Sequence, residues 1–288
     1  MKTCNTLDAP YVRLPIDILI LSIGLPANAM LLWTLLRNGK ALSASEVLGL
    51  NLGLLNILYC LCLPMEIYVV HQKRTDHLLL VSEALSALNS FGCPLLLASM
   101  CVERYVAASH PVLYLRLGRL GYRVVYTALV WILTIFVALA TYLRGLSDMA
   151  LGASIVIDVL FLVMLVCLVG VVRVLCKKAP GEGRQGAPGC SAMKKRALRN
   201  IVAVLVPSTL AYGPLLALAP YLTALRALTK AKVSVTHCDA LKLMLVFPGF
   251  GVYIGPAFYM SRTSQLLCRR NGAEGKEQTT NCILEQVK

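Results

Sequence analysis

A carboxylate, a guanidinium and a phenol stand side by side where a long apolar run ends, in Ser99-Met-Cys-Val-Glu-Arg-Tyr-Val-Ala-Ala-Ser-His-Pro111. Glu103 and Arg104 can neutralise one another, and a guanidinium released from such a pair offers its donors to a partner's backbone carbonyls. Charges of this kind at the end of a membrane-length run are costly unless they have work there. Further carboxylates, Asp17, Glu66, Glu83 and Asp158, and one base, Lys242, fall within or at the edges of other apolar runs. Glu66, Glu83 and Lys242 lie close enough to the ends to be read as solvated rim groups, since such side chains snorkel. Asp158 lies about two turns inside and reads as facing a cavity. Glu83, Asp158 and Lys242 stay ligand-binding candidates. A site with this balance lacks the Arg and Lys clamps that a highly anionic ligand needs. It suits a cationic or zwitterionic small molecule, or a peptide with a basic group.

Other chemistries have little to stand on. The sequence carries no His-x-x-x-His pair, no Cys-x-x-Cys, no phosphate-binding glycine loop and no metal-ligand cluster, so neither an enzyme nor a metal or cofactor site is expected. Three of the four histidines, His71, His77 and His237, fall near carboxylates on the expected outer side. They make proton sensing an alternative, against the plainer reading of solvated loop histidines. Of eleven cysteines, Cys60, Cys62, Cys93, Cys101 and Cys167 sit inside apolar runs and behave as small hydrophobes. Only Cys4 and Cys238 fall outside the cell, where they form either a disulfide or two free thiols.

The elements that must position these groups follow from composition. Of 288 residues, 58% are hydrophobic and 15% charged, with mean hydropathy +0.71. Soluble domains carry about 25% charged residues, so this is an all-α membrane protein. Seven runs, about 15–36, 46–70, 78–106, 121–143, 150–175, 199–225 and 239–260, reach the roughly 20 residues that cross a bilayer. The net charge of +14 does not signal nucleic acid, because 19 of the 28 Lys and Arg lie in or beside alternate connectors and the tail. That asymmetry places the N-terminus outside and the C-terminus in the cytoplasm. No cleaved leader is expected, the first run itself being the targeting signal. The expected organisation is an extracellular tail (1–14), a seven-helix bundle (15–260), a short amphipathic helix in the inner interface (261–270) and a cytoplasmic tail (271–288). Cys268 on that short helix is a candidate palmitoyl site; no prenylation box ends the chain.

Taken in order, these features resemble the rhodopsin-like (class A) G-protein-coupled receptors. The resemblance rests on Gly24-Leu-Pro-Ala-Asn28, Asn56, Glu103-Arg104-Tyr105, His110-Pro111, Trp131, Pro214 and Pro256-Ala-Phe-Tyr259, and it extends over about residues 15–270. The Gly-Leu-Pro-Ala-Asn opening and the Arg-Tyr-Val-Ala-x-x-His-Pro run are most similar to the branch of nucleotide, protease-activated and lipid receptors. The resemblance implies that Glu103, Arg104, Tyr105, Tyr212, Pro214, Pro256 and Tyr259 form the switch that admits a G protein. It implies that Ser86, Asn89 and Tyr212 lie where the ligand cavity lies, although interhelical packing explains them equally. Asn28, Asn56 and Trp131 take structural positions.

Departures from the family pattern are equally specific. Asn56 and Gly255 stand where the family has an Asp and an Asn that help hold sodium, so no sodium site is expected. Ala211-Tyr-Gly-Pro214 stands for Cys-Trp-x-Pro, and both cysteines of the usual outer disulfide are absent. The resulting expectation is a plasma-membrane receptor coupling an outer ligand to a heterotrimeric G protein, with membrane lipid as its other partner. Two alternatives stand beside it, a receptor-like protein that does not signal normally and a proton-sensing receptor. A channel or transporter is disfavoured because the inner halves of the spans read as almost wholly apolar.

Overall fold

In the computed structural model the described residues are 10–37, 42–72, 77–117, 120–176, 198–214, 216–217, 221 and 247–259. Five helices among them are long and apolar enough to cross a membrane: Leu14–Arg37, Ala44–Val69, His77–Ser109, Tyr122–Arg144 and Gly152–Val174. They match the first five expected runs and are called spans one to five below. Residues 198–214 are helical within the sixth run, and the seventh contributes a 3-10 segment, Phe247–Tyr253, followed by helical residues 254–259. The tail at 1–9 with Cys4, His237, Cys238, Lys242, the expected 261–270 helix with Cys268, and the 271–288 tail lie outside the described residues.

Span three is the axis of the bundle. Of its most apolar window 67% is buried, and 56% of that of span two, against 22–28% for spans one, four and five. The outer helices instead expose large apolar side chains such as Trp33, Ile132, Phe136 and Leu162. A helix that exposes so much apolar surface is stable only where the surrounding solvent is itself apolar. Inside, Leu52, Leu55, Leu97, Met100, Ile157 and Met164 are fully buried and form one continuous core. Several hydroxyls inside the helices find partners locally, Thr134 donating to Val130 O at 2.7 Å and Ser208 to Val204 O at 2.6 Å.

Prolines set the irregularities. Pro26 has no N–H for the carbonyl of Ser22, and its ring crowds that carbonyl. The turn before it, Ile20–Gly24, loosens into a π-helix. Gly24 closes the gap this opens, because a Cβ there would lie 2.7 Å from Val252 of the seventh run. Pro64 and Pro94, by contrast, sit inside unbroken helices, Ala44–His71 and His77–Ser109. A short helix, Pro111–Leu117, begins directly after span three and folds back beside its end.

The N-terminus of span two is pinned by a capping box. The Ser43 backbone N–H and hydroxyl both donate to Glu46 Oε2 at 2.7 Å, and Glu46 N–H lies 3.4 Å from the Ser43 hydroxyl oxygen. Such reciprocal bonds fix the first turn of a helix. This matters here because Ser45, which lies between the two residues of the box, belongs to the site.

Candidate functional site

At the end of span three, Glu103 holds two neighbours. Its Oε2 lies 3.4 Å from Arg104 Nε, close enough for an ion pair although the geometry is not that of a hydrogen bond. Its Oε1 accepts from the Tyr114 hydroxyl of the Pro111–Leu117 helix at 3.0 Å. Burial, and after it the Glu103 charge, push the Tyr114 phenol above its ordinary pKa. The Arg104 guanidinium is thus folded back toward its own helix. It also donates to the hydroxyl of Ser45 on span two.

Ser45 is the meeting point of three elements. While its hydroxyl accepts from Arg104, its backbone carbonyl accepts from the hydroxyl of Tyr259. Tyr259 can reach that carbonyl only because the residue one turn along span two is Gly49, where a Cβ would overlap the phenol ring. Ser45 is 2% exposed, so neither bond competes with bulk water. Tyr105 faces Gly170 of span five and stacks edge-on with His110 at 6.4 Å. The sequence reading singled out Glu103, Arg104, Tyr105 and Tyr259 but passed over Ser45. A serine beside a capping box, one turn before a glycine, is the signal that was available.

Deeper in the bundle, three asparagines form a continuous chain. Asn56 Nδ2 donates to Asn28 Oδ1 at 3.0 Å, and Asn56 Oδ1 accepts from Asn89 Nδ2 at 3.1 Å and from Cys93 Sγ at 3.1 Å. Asn28 Nδ2 donates to Gly24 O at 2.9 Å and to Val252 O at 3.0 Å, and Asn56 Nδ2 also lies 3.3 Å from Val252 O. Pro256, four residues on, has no N–H to offer the Val252 carbonyl an α-helical bond. Four stretches of chain, spans one, two and three and the seventh run, are therefore tied by uncharged amides. Asn89, expected in the ligand cavity, is 1% exposed and belongs to this chain.

A second polar tie joins spans two and four, with Trp131 Nε1 donating to Asn51 Oδ1 at 2.8 Å and Asn51 Nδ2 to Val47 O at 2.7 Å. Together with Ser45, Ser99 and the Tyr126 hydroxyl bonded to Ser99, it makes the Arg104 half of the bundle more polar than expected. Counting charges had overlooked amides and hydroxyls.

Toward the other end, Ser86 donates to Glu66 Oε2 at 3.0 Å. Glu66, read from the sequence as a solvated rim group, is 7% exposed and buried. The hydroxyl of Ser86 faces it across spans two and three, and a helix position alone could not show that. Glu83 and Asp158 are half-buried on spans three and five. Tyr212 is 0% exposed, 6.0 Å from Phe161, with its hydroxyl against Gly251 and facing the Cys93 thiol. It is therefore a core aromatic in this state. Pro214, in the described helix of the sixth run, is half-buried, and Pro256 is buried.

Comparison with known proteins agrees with this geometry. Residues 27–150 match the family model of the 7 transmembrane receptor (rhodopsin family). Over 136 residues, 46% of the chain, it is 30% identical to lysophosphatidic acid receptor 5 of Bos taurus, of which the match covers 37%. It is 31% identical over 120 residues to proteinase-activated receptor 3 of Homo sapiens, covering 40% of the chain and 31% of that receptor. To somatostatin receptor type 5 of Rattus norvegicus it is 27% identical over 142 residues, 48% of the chain and 39% of the receptor. The matches thus span about a third to two fifths of the length of these curated relatives. The resemblance to the rhodopsin-like receptors, and to their lipid and protease-activated branch, is shown. The matched stretch contains Asn28, Asn56, Asn89, Glu103, Arg104 and Trp131.

Proposed function

We propose that this chain is a seven-helix receptor of the plasma membrane that couples an extracellular ligand to a heterotrimeric G protein. The observation that carries the reading is Arg104, held at one end of the central helix by Glu103 and by Ser45, with Tyr259 on the same serine. A guanidinium so held is withdrawn from any partner. If the seventh run and span two part at Ser45, Arg104 loses its second anchor, and its donors can turn to the backbone carbonyls of a docking helix. The closed arrangement therefore contains its own release point. In this reading the Arg104 end faces the cytoplasm, as the distribution of Lys and Arg supports, and the sixth and seventh runs complete the bundle.

The ligand enters from the opposite end. Glu66 with Ser86, Glu83 and Asp158 give that half an acidic character, which favours a cationic or zwitterionic small molecule or a peptide with a basic group. Ligand-driven displacement of span three or the seventh run would pass through the asparagine chain, since both elements contribute to it. The same neutral chain favours one second reading, a receptor-like protein with altered signalling, because the family's charged Asp normally helps bias the switch and Asn56 stands in its place.

A G-protein dissociation assay in transfected cells, native chain against Arg104→Ala, tests the proposal. Basal or stimulated activity that is lost in Arg104→Ala at equal surface level supports coupling through this residue. Activity that is nil in both, or indifferent to the change, refutes it.

A further inference from the structure

The seventh run carries an aromatic residue at every third position, Phe247, Phe250 and Tyr253, with Pro248, Gly249 and Gly251 among them. Their rings form a ladder, 6.2 Å from Phe247 to Phe250 and 6.4 Å from Phe250 to Tyr253. A period of three aligns side chains on a 3-10 helix, and Phe247–Tyr253 is one. An α-helix, at about 3.6 residues per turn, would fan the same rings apart. Helices of the 3-10 kind seldom run beyond about four residues, and this one has seven. Its hydrogen bonds are poorer than those of an α-helix, while a proline and two glycines weaken the α alternative. Neither form therefore holds a large advantage.

The Tyr253 end of the ladder is latched to the π turn of span one. The Tyr253 hydroxyl donates to Leu19 O at 2.9 Å, directly before Ile20–Gly24. Ile20, Cys60, Leu63 and Val252 pack there as a small core of their own, with Tyr253 against it. The two irregular turns approach closely because Gly249 faces Ile20, where a Cβ would lie 2.8 Å from its Cδ1. Neither the ladder nor the latch belongs to the asparagine chain or to the Arg104 site.

We propose that Phe247–Tyr253 is a spring that changes between 3-10 and α forms, and that the Tyr253–Leu19 latch keeps this change from reaching Tyr259. The segment measures about 14 Å at the 3-10 rise of about 2.0 Å per residue and about 10.5 Å at the α rise of about 1.5 Å. Rewinding therefore shortens it by about 3.5 Å. While Tyr253 holds Leu19 and the Val252 carbonyl keeps its amides, the Phe247 end must yield. With the latch open, the shortening is drawn instead from residues 254–259. A move of that size breaks the Tyr259 bond to Ser45. Tyr253 is thus a positioning residue for that contact. The spring stands without the receptor reading above, whereas its effect on signalling rests on it.

The test incorporates trifluoromethyl-phenylalanine at position 257, an exposed site two residues before Tyr259, in the full chain in phosphatidylcholine nanodiscs, and reads it by fluorine NMR. A second resonance should grow about fivefold in Tyr253→Phe, which removes one neutral hydrogen bond and keeps the ring. It should also grow in Phe250→Leu, which breaks the ladder, and become a major species in the double variant. The same resonance should grow in Tyr259→Phe, which cuts the contact that the shortening breaks. Thr134→Val removes a hydroxyl bonded within span four and should lower the thermal midpoint without moving the populations. A single unchanged resonance in the double variant, or equal growth in Thr134→Val, overturns the spring. Growth of a different resonance in Tyr259→Phe overturns its link to Ser45. Ligand-free G-protein dissociation on the same variants, without the label, separates the two proposals. Shifted populations with unchanged signalling, while Arg104→Ala still abolishes it, refute the action of the latch on the switch. Signalling that is nil in every chain refutes the receptor reading and leaves the spring.

Discussion

If the chain couples to a G protein as proposed, replacing Ser45 by Ala removes one hydroxyl and should raise basal signalling. Ser45 is 2% exposed and its hydroxyl accepts from Arg104, whose own side chain is 16% exposed. A hydrogen bond involving a charged group contributes about 1.5–3 kcal/mol, and the lower figure applies because Arg104 keeps Glu103 as a partner in the variant. A loss of about 1.5 kcal/mol from the closed state alone is a shift of roughly tenfold in the closed-to-open ratio. If the open state of the native chain is populated to about 1%, the variant reaches about 10%. The backbone carbonyl of Ser45 survives the substitution, so the Tyr259 bond persists and the rise is partial. Tyr259→Phe removes that other bond, a neutral one of about 1 kcal/mol, and should raise basal activity about fivefold. Ligand-free G-protein dissociation, normalised to surface receptor, reads both. Basal activity that is unchanged within twofold, or that falls, in Ser45→Ala at equal surface level would show that the serine does not restrain Arg104.

Two further outcomes follow from the polar contacts. Asn56→Leu leaves amide groups of Asn28 and Asn89 and the Cys93 thiol without their shared partner, and should cost about 2–4 kcal/mol. Thermal unfolding of the purified chain in detergent should show a midpoint lower by several degrees, and an unchanged midpoint would mean that the chain of amides carries no stability. The Tyr114 phenol, raised by burial and then by Glu103, favours its neutral form in the folded protein. Its contribution is complete below the ordinary tyrosine range near pH 10 and is lost as pH rises through the elevated folded value. Glu103→Gln should lower that value, read as an earlier rise in tyrosinate absorbance that Tyr114→Phe abolishes.

Much of the fold was legible because it is written in quantities that a sequence displays directly. Apolar run length fixes the spans, and the first five expected runs agree with helices to within a few residues at most boundaries. The Glu103-Arg104-Tyr105 stretch was legible because charge at the end of an apolar helix has few explanations. The partners of these groups were not, for a definite reason. Ser45, Glu66 and Asn89 matter through what lies across the bundle from them, and helical periodicity gives a residue's face without its neighbour. Glu66 shows the error well. Position along the span suggested solvation, whereas the facing Ser86 hydroxyl allows the carboxylate to be buried.

The Val252 carbonyl brings these strands together. It accepts the amides of Asn28 and Asn56, and Pro256, four residues on, has no N–H to compete for it in an α-helical bond. Three residues beyond Pro256, Tyr259 makes the contact with Ser45. The proline thus lies between the two contacts of one short segment, the amide chain on one side and the Arg104 anchor on the other. Pro256→Ala should restore the N–H, which then competes with two amides for a carbonyl having two lone pairs. The expected result is a straighter seventh helix, a loosened Asn28–Asn56 link and a lower midpoint of about the size of one lost hydrogen bond, roughly 1 kcal/mol. If the link matters through Val252, the penalty of Pro256→Ala should shrink when Asn28 is already Ala, because the two changes act on one acceptor. Strict additivity in that double-mutant cycle would separate the proline from the asparagines and leave the amide chain without its cause.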